Sequence, residues 1–276
     1  MIGAIKYFIA ITFSIPFILF ACHRGTMETK IDTALLKADG LADDAFAEVD
    51  GITESALSYF SIGSRKENSE DSLILCALKT IDQDTRTITI DFGEGCQGFG
   101  GRVRKGKIII HYSAGFFVPG AAIASTLQNF YINDVRVEVR RLLQNITTPA
   151  DTLVKFHVVV TDGKLTWPDS TSVTRESDLI QTWNLGDTPM EDEITVDGVA
   201  NGTNRNGKNF IINISTPLFY RRACWVFRSF IPVSGRKQIE TEGNTMTINY
   251  GDGTCDRIAS VLMNGQSLTI DMTQGK

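Results

Sequence analysis

The chain has 276 residues, of which 42% are hydrophobic and 21% charged, and its formal net charge is −5. That length and balance suit a globular protein with a sizeable core, and the mild acidity excludes the basic footprint that nucleic-acid binding needs. Residues 1–21 stand apart from the fold: Lys6 supplies a positive start, and the apolar run from Tyr7 to Phe20, broken once by Pro16, is too short for a membrane span.

The run ends in Leu19-Phe20-Ala21-Cys22. This resembles the lipobox of bacterial lipoproteins, where a small residue precedes an acylated cysteine; the alternative is an ordinary secretory signal with a chance cysteine. The resemblance implies cleavage before Cys22, acylation of its thiol and new amine, and an exported protein held on the membrane of the bacterial cell envelope, periplasmic or at the cell surface. Several acyl chains give a stable anchor where one holds only marginally. Cys76, Cys96, Cys224 and Cys255 remain. An even count in an exported protein reads as a disulfide framework with three connectivities open. An internal repeat described below favours the local pairs Cys76–Cys96 and Cys224–Cys255, with free buried thiols as the alternative. No CxxC or histidine cluster accompanies them, so zinc is not expected.

Residues 22–38 read as a polar tether. In 39–71 the sequence predicts a helix followed by a loop. Leu41, Ala45, Val49, Ile52, Ala56 and Phe60 draw one apolar stripe. Asp39 fits an N-cap, while Asp43 and Asp44 suit the positive helix end. Gly51 weakens the middle and leaves two shorter helices open.

From residue 72 to 276 the chain reads as strand and turn. Predicted strands cover Leu73–Thr80, Thr85–Phe92, Lys107–Ser113, Ala121–Ile132, Val135–Arg140, Val154–Thr161, Lys164–Trp167, Glu193–Val199, Lys208–Ser215, Arg222–Val233 and Gln266–Met272. In Val135–Arg140 the valines mark a buried face and the charges a wet one. Asp162-Gly163, Asn206-Gly207 and Asn264-Gly265 are hairpin-turn signals. The stretch Thr87–Cys96, TITIDFGEGC, returns as Thr245–Cys255, TMTINYGDGTC. In both, alternating apolar residues run into a Gly-acid-Gly turn and a cysteine. A second pair, Arg104-x-Gly106-Lys107 and Arg205-x-Gly207-Lys208, also precedes strands. The fold class is therefore all-β: a long antiparallel meander forming a curled sheet or a sandwich, with two related hairpin units and one short N-terminal helix region.

The lipobox, the acidic helix Ala45-Phe46-Ala47-Glu48-Val49-Asp50, and the motifs TITIDFGEGC, GRVRKGKIIIHY, DGKLTW, GTNRNGK and NYGDGTCD together resemble a group of uncharacterised bacterial envelope lipoproteins. The likeness covers nearly the whole mature chain and implies localisation and fold, not an activity. DFGEG and NYGDG also resemble the turn motif of PKD-type surface domains, a match of turn chemistry alone.

Four kinds of chemistry have candidate residues. Asp91, Glu94, Asp252 and Asp256 offer oxygen ligands beside glycine turns, the donor type calcium takes, although Gly-Asp-Gly is also simply a good turn. Phe116, Phe117, Trp167 and Trp183, with Trp225, Phe219 and Tyr220, could line a groove for a glycan or apolar ligand, or could be core; Phe116-Phe117 would be a plug over a sheet end or an exposed patch. His23, His111 and His157 lack the motif context of a catalytic base, and a pair of carboxylates remains open for a polysaccharide hydrolase. Asp32-Thr33-Ala34 resembles an O-glycosylation triplet of some bacterial envelope proteins, whereas the Asn145, Asn201 and Asn213 sequons match a eukaryotic signal. The expectation is a lipid-anchored envelope protein with a non-catalytic binding or structural role, needing no cofactor. Its partners would be the membrane, through the anchor, and a glycan, apolar ligand or envelope protein. An apolar-ligand carrier and a polysaccharide hydrolase stay open as alternatives.

Overall fold

The computed structural model describes residues 31–63, 73–98, 101–227 and 230–272. The chain begins with one uninterrupted helix, α1, Thr33–Tyr59. Asp32 caps it, its carboxylate accepting from the Leu35 amide at 2.9 Å, which satisfies an amide with no intrahelical partner. The helix therefore starts six residues before Asp39 and takes in the last part of the expected tether. Nor does it break at Gly51. A Cβ there would lie 3.1 Å from Leu73 Cδ1, with the Trp225 and Phe230 rings just beyond. The glycine lets other segments cross the helix closely, and that packing offsets its propensity cost of about 1 kcal/mol.

Everything after α1 is antiparallel sheet. The strands are β1 (Leu78–Asp82), β2 (Thr87–Asp91), β3 (Cys96–Gln97), β4 (Val103–Tyr112), β5 (Ala122–Ile132), β6 (Val135–Asn145), β7 (Val154–Thr166), β8 (Ser172–Asn184), β9 (Glu193–Thr203), β10 (Asn209–Arg221), β11 (Ser234–Thr241), β12 (Asn244–Asp252), β13 (Ile258–Met263) and β14 (Gln266–Asp271). They form one 14-stranded sheet in sequence order, with the short β3 pairing only with β4. This is the curled meander rather than a sandwich. Ile88, Ile90 and Phe92 of one repeat, and Met246, Ile248 and Tyr250 of the other, all point into a single core with α1. Along β6, Val137 and Val139 are buried, Val135 is half-buried and Arg140 is exposed, the parity expected.

Three expectations differ. Asp162-Gly163 does not turn a hairpin. It is a bulge inside β7, with Asp162 at φ 54° and a register shift between Val160 and Gly163. A strong turn dipeptide becomes a kink when the flanking residues keep pairing with the same neighbours. The stretch Arg222–Val233 is not a strand. It opens with a 3-10 turn, Arg222–Phe227, and crosses over α1. The first hairpin is displaced: in place of Leu73–Thr80 and Thr85–Phe92 the paired strands are Leu78–Asp82 and Thr87–Asp91, with Leu78 opposite Asp91 and the turn at 83–86.

α1 lies in the concave face of the sheet, and the open side above it is roofed. Leu73 and the Trp225–Phe230 pair pass over Gly51, while Met272, just after β14, sits against Gly40. The first two of these roof segments are each tied down by a disulfide: Cys76–Cys96 links the approach to β1 with β3, and Cys224–Cys255 links the 3-10 turn with the β12–β13 connection. These are the two local pairings, and such bridges belong to an oxidising, exported setting.

Candidate functional site

The concentrated chemistry of the domain surrounds α1. Asp39, Asp43, Asp44, Glu48, Asp50 and Glu54 of the helix meet Arg102, Arg104, Arg141, Arg175, Arg222 and Lys237. Arg104, Arg141, Arg175 and Lys237 stand on β4, β6, β8 and β11 at inward-facing positions, and all four are buried. At the helix start, Asp39 and Asp43 bind Arg175, each at 2.7 Å, and share Lys237. In the middle, Arg102 joins Asp44 at 2.5 Å and also pairs with Glu48, which holds Arg104. Asp44 in addition accepts from the Phe230 amide at 3.2 Å, fixing the roof to the helix. Arg141 grips Asp50 through two guanidinium nitrogens and lies over the Phe46 ring. Near the helix end Arg222 binds Glu54 at 2.7 Å and Asp192 at 3.4 Å.

Burial sets the proton affinities here. It pushes the Asp39, Asp44 and Asp50 carboxyls above their ordinary value despite their cation partners. Burial would raise Asp43 too, but Arg175 and Lys237 together hold it below the usual range. Burial opposes the charge of Lys237, yet Asp39 and Asp43 keep its ammonium protonated well above the ordinary lysine range. Tyr220 and Tyr250, beside this cluster, are raised by burial and by the neighbouring carboxylates. The cross-strand neighbours of Arg175 are both glycines, Gly163 and Gly202. A Cβ at Gly202 would lie 1.9 Å from the Thr174 carbonyl and one at Gly163 would lie 2.2 Å from the Arg175 carbonyl. Only glycine permits that backbone approach.

No charge pattern in α1 alone announced this array, because acids on a helix read as its wet face. The strands did carry a signal. In β6, Arg141 follows the inward parity of Val137 and Val139, while Leu142 takes the outward position and is 41% exposed. Arg175 after Val173 and Lys237 before Ile239 repeat that inversion.

The expected site residues fall elsewhere. Phe116, Trp183 and Trp167 lie in the core and Phe117 packs against it. The Phe116 ring stacks on Phe156 at 4.7 Å and on Trp183 at 5.7 Å, closing the sheet end beside Gly63. Trp167 carries Arg205 on its face at 4.4 Å, and Arg205 also pairs with Asp169 at 2.6 Å. Arg104 and Arg205, matched in the sequence repeat, thus have an interior and a surface role. Asp91 pairs with Lys107 and accepts from the Gly93 amide, both at 2.8 Å; Asp252 accepts from Thr254 Oγ1 at 2.7 Å, and Asp256 from the Ile258 amide at 3.1 Å. Each carboxylate caps its own turn, Glu94 is exposed, and among the described residues no three metal-ligating side chains gather. His111 bonds Thr87 at 2.9 Å and His157 bonds Asp178 at 2.7 Å, both on the outer face. Thr33 is exposed in the first turn of α1. Cys22 and His23 lie outside the described residues.

One open depression of about 790 Å³ crosses the outer face over β7–β10, lined by Asp162, Lys164, Thr174, Glu176, Asn201 and Ile211. Its exposed wall is more apolar than polar, with Ile211 standing in it, and the aromatic ring bordering it, Phe210, is buried in the core. The concave face, where a carried ligand would sit, is filled by α1. Among the described residues no helix is long and apolar enough to cross a membrane. Comparison with protein-family models, with curated proteins and with solved structures finds no match for this chain.

Proposed function

We propose that this is a lipid-anchored protein of the bacterial cell envelope whose folded domain has a non-catalytic binding or structural role. The observation that carries the reading is the state of the interior acids. The six carboxylates of α1 are each paired with an arginine or lysine, half-buried Arg102 for Asp44 and buried cations for the others, under a roof tied down by two disulfides. Groups spent in ion pairs inside a filled trough serve architecture and leave recognition to the outer surface and loops. The lipobox at Leu19–Cys22 and the disulfides support the exported setting.

The anchor is tested by replacing Cys22 with alanine. The wild type should fractionate with membranes and carry lipid mass on its N-terminal peptide, and the variant should become soluble. Unchanged fractionation together with an unmodified wild-type peptide refutes the anchored reading.

A further inference from the structure

The cluster at the start of α1 differs chemically from the rest of the interior array. Asp44, Glu48, Asp50 and Glu54 are held by Arg102, Arg104, Arg141 and Arg222. Arginine suits buried carboxylates, because its planar guanidinium keeps its charge and makes paired hydrogen bonds. Asp39 and Asp43 are held by Arg175 and by an amine, Lys237. Lys237 is 1% exposed and is the one lysine among the described residues that is buried. An amine that gives up its proton is a nucleophile, which a guanidinium is not.

The atoms around Lys237 stand as a condensation needs them. Its Nζ lies against Asp39 Oδ2, outside hydrogen-bonding alignment, and donates to Asp43 Oδ2 at 2.6 Å. Arg175 donates to Asp39 Oδ1 at 2.7 Å with one nitrogen and binds Asp43 Oδ1 at 2.7 Å with another. The Tyr250 ring lies 5.6 Å from Nζ. Burial also favours the neutral form of the Asp39 carboxyl. Groups held in contact react as if at concentrations far above any in solution. A dry site also favours an amide, which carries no charge, over an ion pair that has lost its water.

We propose that Lys237 and Asp39 condense into a side-chain amide, an isopeptide bond that joins β11 to α1. One ammonium proton passes from Nζ to the Asp43 carboxylate, which acts as the base. The freed lone pair attacks Cγ of Asp39 and forms the C–N bond, while Arg175 stabilises the negative charge gathering on Oδ1. The bond from Cγ to Oδ2 then breaks. Oδ2 leaves as water, taking one proton back from Asp43 and a second from the nitrogen, so the amide keeps one of the three ammonium hydrogens. No oxidant or outside proton enters, and Asp43 and Arg175 remain as a neutral pair. The structure holds the two groups before the bond, and the proton affinities given above belong to that state; once condensed, Lys237 no longer titrates. The disulfides tie the segments that cross near Gly51, and the amide gives the start of α1 a covalent hold of its own.

The test is peptide mass spectrometry of the full chain, reduced and digested with trypsin. A condensed Lys237 resists cleavage, so peptide 38–65 should appear joined to peptide 237–257. The joined species should be lighter by one water than the two peptides together, with fragment ions that place the branch on Asp39. Lys237→Arg keeps the charge without the amine and should give no branched peptide. Asp43→Asn removes the base and should lower the branched fraction at least about tenfold. Wild-type protein that is cleaved after Lys237 and yields only free 238–257 overturns the proposal, as does a branch on Asp43. An Asp43→Asn variant joined as fully as the wild type overturns the role given to Asp43. The branched peptide is read whether or not Cys22 carries lipid, so this outcome is independent of the anchor reading.

Discussion

Arg140 and Arg141 are neighbours on β6 and live in different worlds. Arg140 points outward, 73% exposed in its side chain, and reaches Asp162 at 3.4 Å; Arg141 points inward, 4% exposed, and grips Asp50 of α1. On the outer face water screens the charges and both partners must give up rotamer freedom, so such pairs contribute between nothing and about 1 kcal/mol. Inside, both charges have lost water, and each needs the other. The same residue type is an ornament on one face and an obligation on the other. A buried pair of this kind adds little net stability over apolar side chains of similar size, whereas removing one partner is costly.

The sharpest break of that contrast is to remove one interior partner. Arg141→Leu should strand the Asp50 carboxylate and cost about 3–5 kcal/mol, read as a fall in the denaturant midpoint. Adding Asp50→Leu to that variant should restore most of the loss, since a buried pair replaced by apolar side chains is often neutral. A double variant as unstable as the single one would mean that the pair contributes more than mutual neutralisation.

The roof gives the next largest effect. Cys224→Ser with Cys255→Ser opens a loop of sequence separation 31, for which the chain-entropy account gives about 3–4 kcal/mol. Hydrogen exchange should then rise first in the α1 amides beneath the roof, near Gly51, and less on the outer strands β5–β8. Uniform loosening would show that the bridge acts only on the unfolded chain.

Alkali should separate the two faces more gently. Lys237 keeps its proton in the folded protein to a pH above the ordinary lysine value, so its contribution is complete below about 10.5 and is lost as the pH climbs toward the folded value. Tyr220 and Tyr250 act in the same direction, because unfolding lets them ionise at their ordinary pH near 10 while folding holds them neutral. Stability should therefore fall from about pH 10 upward. In a spectrophotometric titration these two of the chain's six tyrosines should ionise only as the protein unfolds. Lys237→Met should flatten part of this limb.

The smallest effect belongs to the outer face. Arg140→Leu should change stability by no more than about 0.5 kcal/mol, and any measurable part should vanish in high salt. A cost approaching that of Arg141→Leu would erase the distinction between the faces.

Strands alternating at period two made the all-β meander legible, and turns fall at Asn206-Gly207 and Asn264-Gly265, where Gly207, Asn264 and Gly265 take positive φ. The repeated Gly-acid-Gly-(Thr)-Cys ends pointed to two local disulfides, because those cysteines follow related turns. Local pattern misjudged Asp162-Gly163 and Arg222–Val233, since whether a turn dipeptide reverses the chain or kinks a strand depends on the neighbours that continue to pair. It also left β8, β11 and β13 unmarked: inward Arg175, Ser177 and Lys237 blur the apolar alternation of β8 and β11, and outward Ile258 and Leu262 blur that of β13.

The sequence by itself determined the strand class, the turn ends and the tendency of 41–60 to be helical, because each depends on residues a few positions apart. Only the tertiary structure decided that the helix has no wet face. Its acids find their cations 54 residues away at Arg102 and 194 away at Lys237. A carboxylate on a helix is read as solvated unless a cation is brought to it, and bringing these required a sheet long enough to curl around the helix, with separate segments roofing its open side.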